Sequence, residues 1–297
     1  MESSWVPMDV YLPRTLAEAL EVKARRPEAV PIAGGTDVMV AINFHRLRPD
    51  AVVDLSRLPE LRQWREEDGA VFVGAGMTYA RLVRELSWCV PLAQAARTVG
   101  SPQIRNRGTL GGNVGTASPA GDTLPVLAAH DAEVVLGRAG GRVRALPWDQ
   151  FFLGPKQTAL APDELVLGVR WRRLRGPGSF LKVGTRNAMV IAVASLCLVV
   201  DEVGRAVRVA LGSVGPTVLR APEAERFAAE QMQRAGAWDD PRAALSDAVV
   251  EEFGERVAAA ARPIDDVRGS AAYRRHACAV LARRALRWAL GDRRLAG

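Results

Sequence analysis

Two glycine pairs constrain this chain more than any other feature. Gly34-Gly35 sits in Pro31-Ile32-Ala33-Gly34-Gly35-Thr36-Asp37, and Gly111-Gly112 sits in Thr109-Leu110-Gly111-Gly112-Asn113. Residues without Cβ let a backbone approach a ligand or another chain segment closely. Successive N–H groups in such a turn form an anion nest, and a following helix start adds positive potential. The first pair follows an apolar run, Val30 to Ala33, that reads as a strand, and precedes a short helix from Val38. The second falls in a glycine-rich segment, Gly100 to Asp122, that reads as one long structured loop. Thr36, Thr116 and Ser118 supply hydroxyls, Asn113 an amide, and Asp122 an acceptor for sugar hydroxyls. Either loop alone is a turn. Together they point to a ligand with two phosphates and a large planar body. Gly74-Ala75-Gly76 begins like a dinucleotide fingerprint, but Tyr79 occupies the third glycine position, so it reads as a turn leading to a helix capped by Thr78.

The rest of the first half alternates strands and helices. Helices are predicted over Leu16–Arg26, from Thr78 through Leu86, and over Pro91–Val99. Strands are predicted over Ala51–Leu55 and Ala70–Val73, with a hairpin of Ala132–Leu136 and Arg142–Ala145 around Gly140-Gly141. Turn residues cluster at Arg175-Gly176-Pro177-Gly178 and mark a boundary between residues 1–175 and 176–297. Three strands follow, Ser179–Val183, Ile191–Val200 and Ala206–Ser213, then a helix-rich tail from Arg220. Strands followed by helices predict an α+β fold for this second part.

Charge and composition exclude several classes. The 297 residues carry a net charge of +7, which invites a nucleic-acid reading. The basic residues are spread along the chain beside acids, however, so no nucleic acid is expected. The densest cluster, Arg274 to Arg294, reads as an amphipathic helix with a solvated or subunit-facing basic side. Cys89, Cys197 and Cys278 stand far apart, as do His45, His130 and His276, so no metal site is expected in this chain. Met1 to Val10 contains acidic residues and no apolar core of a secretory leader. The longest apolar stretch, Ala188 to Val200, is too short to span a bilayer, so a cytoplasmic protein without membrane contact is expected. Only Lys23, Lys156 and Lys182 are lysines. A lysine among so many arginines is a candidate for a specific task.

Beyond the glycine pairs, an ordered series of segments carries a family resemblance. Ser101-Pro102-Gln103-Ile104-Arg105-Asn106, Ala117-Ser118-Pro119 with Asp122, Phe151-Phe152, Phe180-Leu181-Lys182, Leu211-Gly212-Ser213-Val214-Gly215-Pro216 and Pro263-Ile264-Asp265-Asp266-Val267-Arg268 complete it. Across essentially its whole length the chain resembles the FAD-binding (medium) subunit of the molybdenum hydroxylases. That family includes xanthine, carbon monoxide, nicotinate and quinoline oxidoreductases. The resemblance implies a two-part FAD domain of the vanillyl-alcohol-oxidase (PCMH) type and a C-terminal α+β domain built on a three-stranded antiparallel sheet. By position it implies that residues 31–37 and Thr109, Gly111, Gly112 and Asn113 surround the pyrophosphate. Val99, Ile104 and Val166 would pack near the cofactor, and Asp122 and Lys182 would contact it. Thr116 and Ser118 complete the expected set. The family often has an aromatic residue where this chain has Val99, which leaves only apolar packing there.

Val38-Met39-Val40-Ala41-Ile42-Asn43-Phe44, Lys182-Val183-Gly184-Thr185-Arg186-Asn187-Ala188-Met189 and Ala271-Tyr273-Arg274-Arg275-His276 resemble bacterial xanthine dehydrogenase flavin subunits most. The extra cysteines of 4-hydroxybenzoyl-CoA reductases are missing. The resemblance implies an oxidoreductase subunit, with the molybdenum cofactor in a large partner and [2Fe–2S] clusters in a small one. A dimer of heterotrimers and NAD⁺ as acceptor are implied with it, and Lys182 is expected to favour reduced anionic flavin. Flavin subunits of carbon monoxide, aldehyde or N-heterocycle dehydrogenases are the alternative. A stand-alone flavin oxidase would need acid–base residues that no segment supplies.

Overall fold

A computed structural model describes residues 8–296; the first seven residues of the leader expectation lie outside the described residues. Strand β1 (Asp9–Tyr11) leads into helix α1 (Leu16–Arg25), whose first turn is capped by Thr15 Oγ1 accepting from Glu18 N. The rare Lys23 closes the other end, donating to the carbonyls of Pro27 and Ala29. Strand β2 (Val30–Ile32), helix α2 (Val38–Asn43) and strand β3 (Ala51–Asp54) follow. β1, β3 and β2 form a small parallel sheet with β3 central.

Next come β4 (Trp64–Glu67), β5 (Ala70–Gly74), α3 (Tyr79–Glu85) and α4 (Val90–Thr98). The segment expected to be one long loop is mostly helical: α5 (Pro102–Arg107) and α6 (Leu110–Thr116) occupy it. Ser101 and Thr109 cap the two, accepting from Ile104 N and Gly112 N. Three glycines inside α6 each cost about 1 kcal/mol against alanine, which hides the helix from propensity. Fully buried Leu110 and Val114 anchor it instead. Helix α7 (Leu124–Ala129), strands β6 (Glu133–Arg138) and β7 (Arg142–Pro147), helix α8 (Trp148–Phe151), the short pair β8 (Phe152–Gly154) and β9 (Gln157–Thr158), and strand β10 (Leu165–Arg172) complete this half. β4, β5, β10, β6 and β7 make a five-stranded antiparallel sheet in that order. Its central strand β10 has a register shift between Val166 and Gly168.

The remaining strands are β11 (Gly178–Val183), β12 (Ala194–Asp201), β13 (Ala206–Gly212) and β14 (Leu219–Arg220). They form one antiparallel sheet of four strands, not three, because Leu219 and Arg220 pair with β13. Helices α9 (Pro222–Arg234), α10 (Asp247–Ala260) and α11 (Ala271–Ala296) cover one face. β12 is buried along its whole length. Leu196, Leu198 and Val200 join the core under α9–α11, while Cys197 and Val199 join the core shared with α4 and α7. That two-sided burial explains the unbroken apolar run in the sequence; each such side chain contributes roughly 1.5–3 kcal/mol.

The basic tail is less solvated than its arginine count implies. Arg274 is buried and donates to the carbonyls of Val193 and Ser213 and to Asp266, while buried Arg293 reaches the carbonyl of Ala237. All three cysteines are free and buried. Among the described residues no cluster of three or more His, Cys, Asp or Glu is placed to hold a metal ion, and no helix is long and apolar enough to cross a membrane.

Candidate functional site

The two glycine segments meet on one cavity of about 340 Å³, walled also by the turn before α3 and by Leu160, Leu165 and Val166. They arrive there for different physical reasons. A Cβ on Gly34 would fall into the carbonyl of Arg107 at the end of α5, so this glycine lets the two segments touch. Gly35 adopts φ +75°, the left-handed region that only glycine enters cheaply. Past it, the amide groups of Gly35, Thr36 and Asp37 have no acceptor among the described residues. Successive free amides are what the anion nest expected from the sequence requires.

The second segment is no matching nest. Leu110 N donates to Met77 O, Gly111 N to Ala75 O, Gly112 N to Thr109 Oγ1 and Asn113 N to Thr109 O. The first turn of α6 has therefore spent its donors on its own cap and on the turn below. A Cβ on Gly111 would collide with Ala75, so this glycine too serves chain packing. Gly112 and Gly115 differ. A Cβ there meets only Thr109 Oγ1 at 3.1 Å and nothing within 4 Å, respectively. Their open faces make a floor over which a large ligand could lie. Gly74 packs on the carbonyl of Leu61, in keeping with a structural turn, yet Ala75 and Gly76 also border the cavity.

Of the expected site residues, Pro31, Ala33 to Asp37, Thr109, Gly111, Gly112, Asn113, Thr116 and Val166 line this cavity. Ile32, Val99, Ile104, Ser118, Asp122 and Lys182 do not. Three of those six sit together beside it. Lys182 Nζ on β11 donates to Asp122 Oδ2 at 2.6 Å and to Thr98 O at 3.2 Å, next to Val99 at the end of α4. Both charged side chains are over nine-tenths buried. Burial pushes the Asp122 carboxyl up, against the pull of Lys182 and of Thr98 Oγ1. Lys182 is therefore paired with Asp122 in this structure, a partner that the sequence expectation for Lys182 did not include. Asp122 Oδ1 is buried with no partner, an acceptor held ready at a cost of roughly 1–3 kcal/mol. Ser118 Oγ accepts from Ala120 N and closes the turn that carries Asp122. Ile104 is partly exposed on α5.

Asn113 and Thr116 connect these parts. Thr123, the neighbour of Asp122, donates to Asn113 Oδ1, and Thr116 Oγ1 donates to Asp37 Oδ2 at 3.2 Å across the groove. Sequence reasoning missed Tyr79, Leu160, Leu165 and Val38 in the lining. Leu165 and Val166 belong to β10, where Leu165 joins the core under α1, Val166 joins the core of the five-stranded sheet, and a register shift after Val166 breaks the alternation. A second cavity of about 330 Å³ lies between Trp88, His130 and Trp171 and the charged residues Glu202, Asp292 and Arg293, and includes no residue of either glycine segment. The glycine groove is the candidate site.

The groove's residues fit FAD on this structure's own terms, with free amides for an anion and glycine faces that leave room; Asp122, outside the lining, adds a buried carboxylate oxygen without a partner. Residues 6–171 match the family described as FAD binding domain in molybdopterin dehydrogenase, and residues 179–289 match the CO dehydrogenase flavoprotein C-terminal domain. The chain belongs to the FAD-binding subunits of the molybdenum hydroxylases. It is 35% identical to the nicotinate dehydrogenase FAD-subunit of Eubacterium barkeri, over 66% of this chain and 70% of that one. It is 30% identical to the xanthine dehydrogenase FAD-binding subunit of Escherichia coli O157:H7, over 82% and 85%. Carbon monoxide dehydrogenase from Hydrogenophaga pseudoflava, in the form lacking the Mo-pyranopterin moiety, contains a chain that superposes with a TM-score of 0.81 at 28% identity, covering 96% of this chain and 98% of that one. The family members are FAD subunits of oxidoreductase complexes.

Proposed function

We propose that FAD lies along the groove with its pyrophosphate on the Gly35–Asp37 amides, and that the chain relays electrons from the [2Fe–2S] clusters of a small partner to NAD⁺. The free amides opposite an open glycine floor carry this reading. When bound, FAD supplies a carrier that accepts electrons singly and releases them as a pair. The chain's own residues bind and orient it. The Gly35–Asp37 nest holds negative charge, Gly112 and Gly115 keep the floor clear, and Asp122 offers an acceptor to the sugar chain. Val99 and Ile104 pack beside the ring system, and Lys182 fixes Asp122 and the end of α4. No residue need act as general acid or base, because oxidation of the substrate belongs to a large partner holding the molybdenum cofactor.

The relatives named for nicotinate, xanthine and carbon monoxide share this chain's architecture, which supports a substrate chosen in another subunit. Within that range we favour the xanthine dehydrogenase type, in a cytoplasmic dimer of heterotrimers. Affinity purification of the tagged chain from its own cells tests this. Molybdenum and iron should co-elute with two further subunits, and anaerobic NADH should bleach the flavin's visible band. A chain that elutes alone contradicts the subunit role. A complete complex whose flavin ignores NADH contradicts the NAD⁺ assignment alone.

A further inference from the structure

Tyr79, the first residue of α3, brings a polar side chain to the cavity lining that the glycine motifs do not account for. Its ring packs under Gly108, whose would-be Cβ lies 2.8 Å from Tyr79 Cε2, and the residue is 5% exposed. Thr78 caps the helix and Tyr79 N donates to Gly108 O, so backbone and ring are both fixed. The hydroxyl, by contrast, makes no hydrogen bond among the described residues. It is also not one of the sealed orphan atoms, which belong to Asp122, Ser179, Arg208 and Ser213. Tyr79 lines the groove, and its hydroxyl is the one polar side-chain atom it can offer there.

We propose that Tyr79 is a further cofactor-binding residue, its phenolic O–H donating to a pyrophosphate oxygen of the dinucleotide in the groove. This rests on the FAD reading above. Asp37 and Asp122 act on the phenol from either end of the site without bonding to it, and burial with their negative charge raises its pKa. The phenol therefore keeps its proton and recognises an acceptor. Tyr79 lines the same cavity as the Gly35–Asp37 amides, so the oxygens those amides would hold are the acceptors assigned to it. A ring needed only for packing would lose nothing as phenylalanine.

Tyr79→Phe tests this with two measurements on purified apoprotein. One is the FAD dissociation constant from flavin fluorescence; the other is the rise in Tm on adding a fixed FAD concentration, which cancels any change in the stability of the apoprotein itself. A lost hydrogen bond to a charged group predicts roughly ten-fold weaker FAD binding or more, with a smaller FAD-induced rise in Tm. Unchanged affinity and an unchanged rise in Y79F, beside a wild-type protein that binds FAD, overturn the role of Tyr79 and leave the FAD reading standing. Failure of the wild type to bind FAD overturns both.

Discussion

Gly34 and Gly115 look alike in the sequence and are opposite in kind. At Gly34 a Cβ meets the Arg107 carbonyl, so Gly34→Ala should destabilise the apoprotein by about 3 kcal/mol through forced displacement of α5. At Gly115 a Cβ meets nothing, so Gly115→Ala should leave apoprotein stability equal or slightly higher, as alanine favours helix, while FAD binding weakens. Urea unfolding of both variants checks the pair, and equal stabilities would contradict the assignment of Gly34 to chain packing. His130 gives a pH signature. Burial lowers its pKa from 6.5 to about 4, against the opposing pull of the Nδ1 bond to Val126 O, so the folded chain holds it neutral. The unfolded chain takes up a proton below about pH 6.5. Stability from this group is therefore present above that pH, is lost as pH falls toward 4, and levels off below, a loss of about 3 kcal/mol at most. His130→Phe should flatten that part of the Tm profile; an unaltered profile would show that other groups set it.

At the scale of elements, local signals served well where an element has one exposed face. The caps at Thr15 and Thr78 and the periodic helices α1, α3 and α4 were legible. So were the glycine turns, because φ and close approach demand glycine wherever they occur. Legibility failed where tertiary contacts override propensity. α6 is a helix despite Gly111, Gly112 and Gly115, because Leu110 and Val114 are buried and Thr109 caps it. The register shift in β10 keeps Val166 and Val169 on one core despite their odd spacing, and β14 exists only as the edge partner of β13. The cap on α6 can be weighed directly. Thr109→Ala should cost about 1 kcal/mol and return Gly112 N to the free state. Chemical denaturation reads the stability change; no loss would mean that packing of Leu110 alone holds the turn. The site was legible as a set of residues but not as a division of labour. Hydrogen bonding within the chain leaves the amides of the first segment free and uses those of the second, and such accounting is invisible in a glycine pattern.

For the whole molecule, the four-stranded sheet and its helices supply more than mass. β11 brings Lys182 to Asp122, so the C-terminal half completes a cluster begun by α4 and the turn after α6. Buried Arg274 fastens the start of α11 to Val193 and Ser213, on the segments that precede β12 and follow β13. The Lys182–Asp122 pair, with Ser213 N donating to Pro119 O, ties the second half to the first. The central claim remains that the groove of Gly35–Asp37 and α6 holds FAD, and acid or heat denaturation of the purified chain measures it most directly. Close to one FAD per chain should appear in the supernatant, or be taken up again by the apoprotein to that ratio. A colourless chain that releases no flavin and cannot be reconstituted with FAD would contradict the account.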